Sequence, residues 1–219
     1  MKYCPICGGT GVLLDGTPCS CQQNEDDIYS GTDCLSIPET YRGVAFNSIL
    51  LPKNMGTYYA KFMQDTYDML TSLRWRNKNI IICSPAQTGK SVLAYTVVQS
   101  LFKKGLDVFP LMDILEIKRV MQDIEYNRST SLGVENPQIL LTTPYLFAYI
   151  PASLTYDVFD TAAVLVSRRV RRGNSTILLY QGNWNYLASA DTKGSLKNMA
   201  GSGALTTVEV HNFTYKNDN

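Results

Sequence analysis

No stretch of this sequence is apolar for long enough to span a bilayer, and its opening residues, MKYCPICGG, carry no apolar signal core. The expected setting is therefore the cytosol, with no membrane partner. An excess of one charge is also missing. Lys and Arg number 20 and Asp and Glu 19, a formal net charge of +1, so overall charge does not mark a nucleic-acid binder. Histidine is nearly absent, and His211, in a strand-like tail, reads as structural rather than as a ligand. Internal repeats and low-complexity tracts are lacking. With 45% apolar and 18% charged residues the chain is not compositionally disordered. Its 219 residues suffice for one full core and a small appendage.

Cysteine is unevenly placed. Six are present, four of them in the first 21 residues. Cys4 and Cys7 form a C-x-x-C knuckle, and Cys19 and Cys21 a C-x-C pair. The residues between include a predicted hairpin turn at Asp15-Gly16. In a reducing compartment such clustering suits Zn²⁺ held by four thiolates, a structural site that staples a segment too short to have its own core. Free thiols or disulfides are the alternative. Cys34 reads as a packing residue. Residues 1–33 are expected to form this zinc module and a polar linker, and residues 34–219 the main domain.

The main domain centres on Asn79–Tyr95, NIIICSPAQTGKSVLAY. Ile80–Cys83 reads as a buried strand, followed by a tight loop and a helix starting near Lys90. Ser84, Pro85, Ala86, Gln87, Thr88, Gly89, Lys90 and Ser91 match the phosphate-binding pattern G-x-x-x-x-G-K-S, except that Ser84 replaces the first glycine. In such a loop the backbone N–H groups face phosphate oxygens, the lysine reaches the outer phosphates and the serine hydroxyl holds Mg²⁺. The helix N-terminus adds its positive dipole end. The expected ligands are ATP or ADP with Mg²⁺ on Ser91. A chance G-K-S is the bland alternative.

Elsewhere, spacing predicts helices over residues 54–74, Val92–Lys104, Met112–Tyr126 and Tyr156–Arg172. Strands are predicted at Val108–Leu111, Gln138–Leu141, Ser175–Tyr180 and within Leu205–Phe213. This alternation gives an α/β fold with a mostly parallel sheet. Arg168, Arg169, Arg171 and Arg172 are the densest basic cluster, suited to phosphate. They are equally readable as a solvated helix end. Tyr126, Tyr145, Tyr149 and Trp184 are candidate base-stacking residues, although such aromatics more often belong to a core or its rim.

Taken in order, CPICGGTG…CSC, IPETYRGVAF, the P-loop, FPLMDILEIKRVM, FDTAAVLVSRRVRRGNSTILLYQGN and GALTTVEVHNFTYKN resemble the DnaC/DnaI-type replicative helicase loaders and the related IstB-like ATPases, over nearly the whole chain. The resemblance implies an AAA+ P-loop core that acts as an oligomer in the bacterial cytoplasm, bacterial or phage-encoded. It also implies binding to a DnaB-type hexameric helicase and to single-stranded DNA. The zinc region would touch the helicase, and Lys118, Arg119 and Arg128 would grip the strand. Asn183 falls at the sensor position.

Two departures from the family bear on hydrolysis. The family's Walker B strand corresponds to Ile139-Leu140-Leu141, with Thr142 and Thr143 at the acid positions, and the arginine-finger place is Asn198, beside Lys197. Metal-binding, water-orienting and trans-acting groups would thus be missing together, and an arginine finger alone is worth about 10³–10⁵ in rate. The reading is a loader or adaptor that binds nucleotide and hydrolyses it slowly or not at all. The other readings are an active IstB-like ATPase regulating transposition, marked by turnover that depends on Lys90, and a zinc-stapled binding module with a vestigial loop.

Overall fold

The computed structural model describes residues 37–42, 44, 46, 56–73, 75–85, 88–126 and 137–209. The candidate zinc ligands Cys4, Cys7, Cys19 and Cys21, together with Ala86, Gln87, Arg128 and His211, lie outside the described residues.

Five short strands form one parallel sheet: β1 (Asn79–Ser84), β2 (Val108–Asp113), β3 (Tyr145–Ile150), β4 (Ser175–Gln181) and β5 (Thr206–Glu209), in the spatial order β2-β3-β4-β1-β5. Successive residues of β1, β3 and β4 alternate between two buried faces, as strands covered on both sides require. Ile80, Ile82, Phe147, Ile177 and Leu179 face one core, whereas Ile81, Cys83, Leu146, Ala148 and Leu178 face the other.

The first core is covered by α1 (Gly56–Thr71) and α2 (Lys90–Lys103), and the second by α3 (Ile114–Glu125), the single turn α4 (Ile139–Thr142) and α5 (Tyr156–Val170), with α6 (Trp184–Ala190) and α7 (Ser195–Gly201) completing it. The handedness of parallel crossovers explains this division. The chain leaves β1 towards the β2 edge, but the connections β2 to β3, β3 to β4 and β4 to β5 all run the opposite way. Right-handed crossovers therefore put α2 on one face and α3, α5, α6 and α7 on the other.

Local chemistry fixes the ends of these helices. Asp113 Oδ1 accepts from Leu115 N at 2.7 Å, while Glu116 Oε2 accepts from Asp113 N, a capping box that starts α3. α2 ends at Gly105, whose φ of +75° allows Leu106 N to reach back to Leu101 O at 3.1 Å. On α1 the buried face is Tyr59, Met63, Thr66 and Leu70, with i, i+4, i+7, i+11 spacing. Trp75 lies beneath the sheet, donating from Nε1 to Leu70 O and meeting Tyr145 edge-on at 5.1 Å.

The segment Gln138–Leu141 is not a strand. Ile139, Leu140 and Leu141 form the turn of α4, all three buried, and the strand follows at Tyr145–Ile150. Pro144 ends the turn by holding Thr143 extended (ψ 130°). Thr142 and Thr143 are accordingly not at a Walker B position. Their hydroxyls bond back to Gln138 O and Ile139 O, at the end of the sheet where β3 begins, about 20 Å of strand away from the P-loop end. Tyr145 is likewise a core residue, buried against Trp75.

Arg169 also departs from expectation. It is 0% exposed, and burial lowers its pKa to about 9. Its guanidinium donates to Leu140 O (2.6 Å), Thr143 O (2.8 Å), Ser175 O (2.7 Å) and Thr176 Oγ1 (3.1 Å). It ties α4 to the start of β4 and is unavailable to phosphate. Asn174 Nδ2 satisfies Leu141 O at 2.8 Å. The planar five-donor fork is what lets one side chain close so many orphan carbonyls. Arg169→Met should lower unfolding stability by about 3 kcal/mol or more, because each hydrogen bond from a charged donor is worth roughly 1.5–3 kcal/mol. Arg169→Lys should recover only part, measured as a shift in urea midpoint at unchanged slope.

Candidate functional site

Adjacent strands β1 and β4 send their following helices to opposite faces, which opens a crevice at their C-terminal ends. Open α/β sheets bind ligands at such a switch point, and the loop after β1 is the candidate P-loop. Ser84 is still in the strand, paired with Gln181. Its carbonyl accepts from Gly182 N at 3.0 Å. No left-handed conformation is required there, so a serine fits without strain. Its hydroxyl also closes the loop, lying 2.9 Å from Thr88 Oγ1, which donates to Pro85 O at 2.8 Å. Gly89, at φ +78°, starts α2, in a backbone region that suits glycine. Tyr59 from α1 braces the loop by donating to Thr88 O.

Lys90 is 7% exposed. Its ammonium donates to Ser84 O (2.8 Å), to Pro85 O and to Thr88 Oγ1 (3.2 Å), which occupies its three hydrogens. Burial lowers its pKa to about 8. A phosphate would exchange for loop carbonyls around a lysine already in place. Ser91 is half-buried in the first turn of α2.

The neighbouring strand ends complete the rim. β3 ends in Tyr149-Ile150 and is followed by Pro151, and none of these is an acid. Tyr149 Oη donates to Gln181 Oε1 at 3.1 Å. Asp113, opposite Tyr149 at the end of β2, is engaged in its helix cap. Glu209, at the end of β5, accepts from Trp184 N at 2.9 Å, which fixes Trp184 at the rim. The side chain of Asn183 caps α6, accepting from Tyr186 N at 2.7 Å. Tyr180 lies over Gly182, where an added Cβ would meet the ring at 2.5 Å. Asn198 and Lys197 are exposed on α7, whose start is held by the buried Asp191 through Leu196 N at 2.7 Å and Lys197 N at 3.2 Å. The Tyr149–Gln181 pair and the Tyr59 brace carry no sequence signal, because both depend on register between distant segments.

The basic candidates do not form one patch. Lys118 pairs with Asp157 at 2.9 Å and Arg168 pairs with Glu125, so these two tie α3 to α5. Arg119, Arg171 and Arg172 are exposed, and Arg172 bonds to Arg168 O at 3.1 Å. Tyr126 is exposed beyond the end of α3.

A five-stranded parallel sheet in this order, with the candidate P-loop after β1 and helices on both faces, is an α/β fold that matches the fold of AAA+ proteins. Similar solved structures include a DnaC helicase loader (TM-score 0.58, 14% identity, 78% of this chain and 99% of that one) and DnaI (TM-score 0.53, 11% identity, 80% and 92%). A third is the replication initiator DnaA bound to AMPPCP and single-stranded DNA (TM-score 0.53, 14% identity), where the match covers 81% of this chain and 52% of that one. At these identities the likeness is one of fold. No protein-family model matches the sequence, and no curated protein matches it. Among the described residues no helix is long and apolar enough to cross a membrane.

The pKa of Lys90 is directly measurable. ¹⁵N-detected titration should find one lysine Nζ with a midpoint near pH 8, charged below it and neutral above, that disappears in Lys90→Gln. Bound phosphate should move that midpoint upward, since an adjacent anion favours the ammonium.

Proposed function

We propose that this chain is a helicase loader or helicase-binding adaptor of DNA replication. It binds a DnaB-type hexameric helicase and single-stranded DNA, holds ATP or ADP at the P-loop, and hydrolyses it slowly or not at all. The observation that carries this reading is the asymmetry of the site. Gly89, Lys90 and Ser91 stand at the switch point in the order a phosphate cradle needs, whereas β3, the strand that should supply the metal-ordering and water-orienting acids, ends in Tyr149-Ile150 and is followed by Pro151. The ordered resemblance to the loader family and the shared fold with a solved structure named as the DnaC helicase loader support the biological role.

The remaining assignments belong to the same proposal. Cys4, Cys7, Cys19 and Cys21 hold Zn²⁺ in a module that contacts the helicase. ATP or ADP meets Lys90 and the loop N–H groups, and Asn183, although committed to its helix cap, lies beside the phosphate end. Of the basic candidates among the described residues, Arg119, Arg171 and Arg172 are the exposed ones and meet DNA phosphates, together with Arg128. The protein acts as an oligomer on the helicase in a bacterial cytoplasm, bacterial or phage-encoded.

Full-length protein should co-elute with its helicase on size exclusion, and stripping zinc with a chelator should abolish co-elution while leaving nucleotide binding intact. Failure to co-elute with any replicative helicase offered would contradict the role. Charge reversal at Arg171 and Arg172 should weaken single-strand binding and flatten its dependence on log salt by about 0.7 for each phosphate no longer neutralised, as counterion release requires. Arg169 variants should not share that signature.

A further inference from the structure

The P-loop fold implies a divalent metal on the nucleotide, and the residues present fit it poorly. Such a metal takes six oxygen ligands and leans on carboxylates, directly or through its waters. Here Ser91 remains from the expected set. Among the described residues, the carboxylates that end strands at this edge, Asp113 and Glu209, are each held by a backbone N–H. Asp113 Oδ1 accepts from Leu115 N in the α3 cap, and Glu209 Oε1 accepts from Trp184 N on the far side of β1.

Neutral polar groups run along this edge instead. Tyr149, Gln181 and Ser84 lie on the α2 face of their strands. Tyr149 Oη donates to Gln181 Oε1 at 3.1 Å, Gln181 is paired with Ser84, and the Ser84 hydroxyl lies 2.9 Å from Thr88 Oγ1, which accepts from Lys90 Nζ. Tyr149 is the C-terminal residue of β3 on that face. A phenol and an amide can donate hydrogen bonds to phosphate oxygens, but they bring no negative charge to hold a cation's water shell. The amide of Gln181 keeps its N–H donors while its oxygen is engaged by Tyr149.

We infer that the site binds the metal-free nucleotide, an adenosine di- or triphosphate not complexed to Mg²⁺, with Tyr149 and Gln181 occupying the place of the metal-ordering carboxylate. The inference rests on the proposal that the P-loop binds nucleotide, and it goes further by assigning the ionic form of the ligand. Metal-free phosphate carries more negative charge, which a single buried ammonium and the loop N–H groups meet. Free nucleotide is in this view at least as good a ligand as its magnesium complex.

The test is ADP titration of the full-length protein by calorimetry, in excess Mg²⁺ and in EDTA. The expected result is affinity in EDTA within about threefold of that in Mg²⁺, or tighter, a difference under 1 kcal/mol. A loss of tenfold or more in EDTA overturns the inference but leaves the nucleotide-binding proposal standing. Absence of binding in both conditions, with protein folded by circular dichroism, overturns the proposal and the inference with it. Tyr149→Asp restores a carboxylate and should make affinity rise with added Mg²⁺. Tyr149→Phe, which keeps the ring and its packing, should stay insensitive to the metal. A folded Tyr149→Asp protein that remains insensitive overturns the assignment to Tyr149.

Discussion

The handedness of parallel crossovers governs the molecule. Once β1 lies inside the sheet between β4 and β5 and every connection is right-handed, α2 must cover one face and the later helices the other. The crevice at the ends of β1 and β4 follows from that arrangement, and the loop after β1 has to sit in it. Burial on both faces makes Ile80–Cys83 uniformly apolar, and the same burial dries the start of the loop. Lys90 sits inside a cage of its own loop's oxygens because the fold leaves it almost no contact with water.

That cage sets the chemistry. An ammonium with all its hydrogens on loop acceptors and a pKa lowered to about 8 by burial is poised to gain from an incoming anion. Among the described residues, the neighbouring strand ends β3 and β4 bring the Tyr149 hydroxyl and the Gln181 amide to this edge. Positioning and charge stabilisation supply most catalysis of phosphoryl transfer. On the proposed reading, a site that keeps the cradle and lacks the acids would hold nucleotide and turn it over slowly or not at all.

The strand, loop and helix around the candidate P-loop were legible because they are local: glycine, lysine and hydroxyl fall within eight residues, and flanking strand and helix are contiguous. β1, β2 and β4 were legible as apolar runs bounded by turn residues. The third strand was misplaced because Ile139-Leu140-Leu141 is more aliphatic than Tyr145–Ile150. A three-residue apolar run does not distinguish a strand from one buried helical turn. The correction moves the end of the third strand from Leu141 to Ile150. Arg169 was illegible for a different reason. In sequence it is one of four arginines at a helix end, and only α4 and the start of β4 reveal the carbonyls that bury it. α6 and α7 are seven-residue helices, each with a single buried apolar residue, Leu187 and Leu196, too sparse to register as periodicity.

The most direct test of the central claim is release of labelled phosphate from ATP by the full-length protein with a DnaB-type helicase and single-stranded DNA added, compared with Lys90→Ala. The account predicts that wild-type protein retains ATP that the variant does not, with phosphate release no faster than the variant's. Steady turnover by the wild type that is abolished in Lys90→Ala would contradict it and show that catalytic acids reach the site from elsewhere.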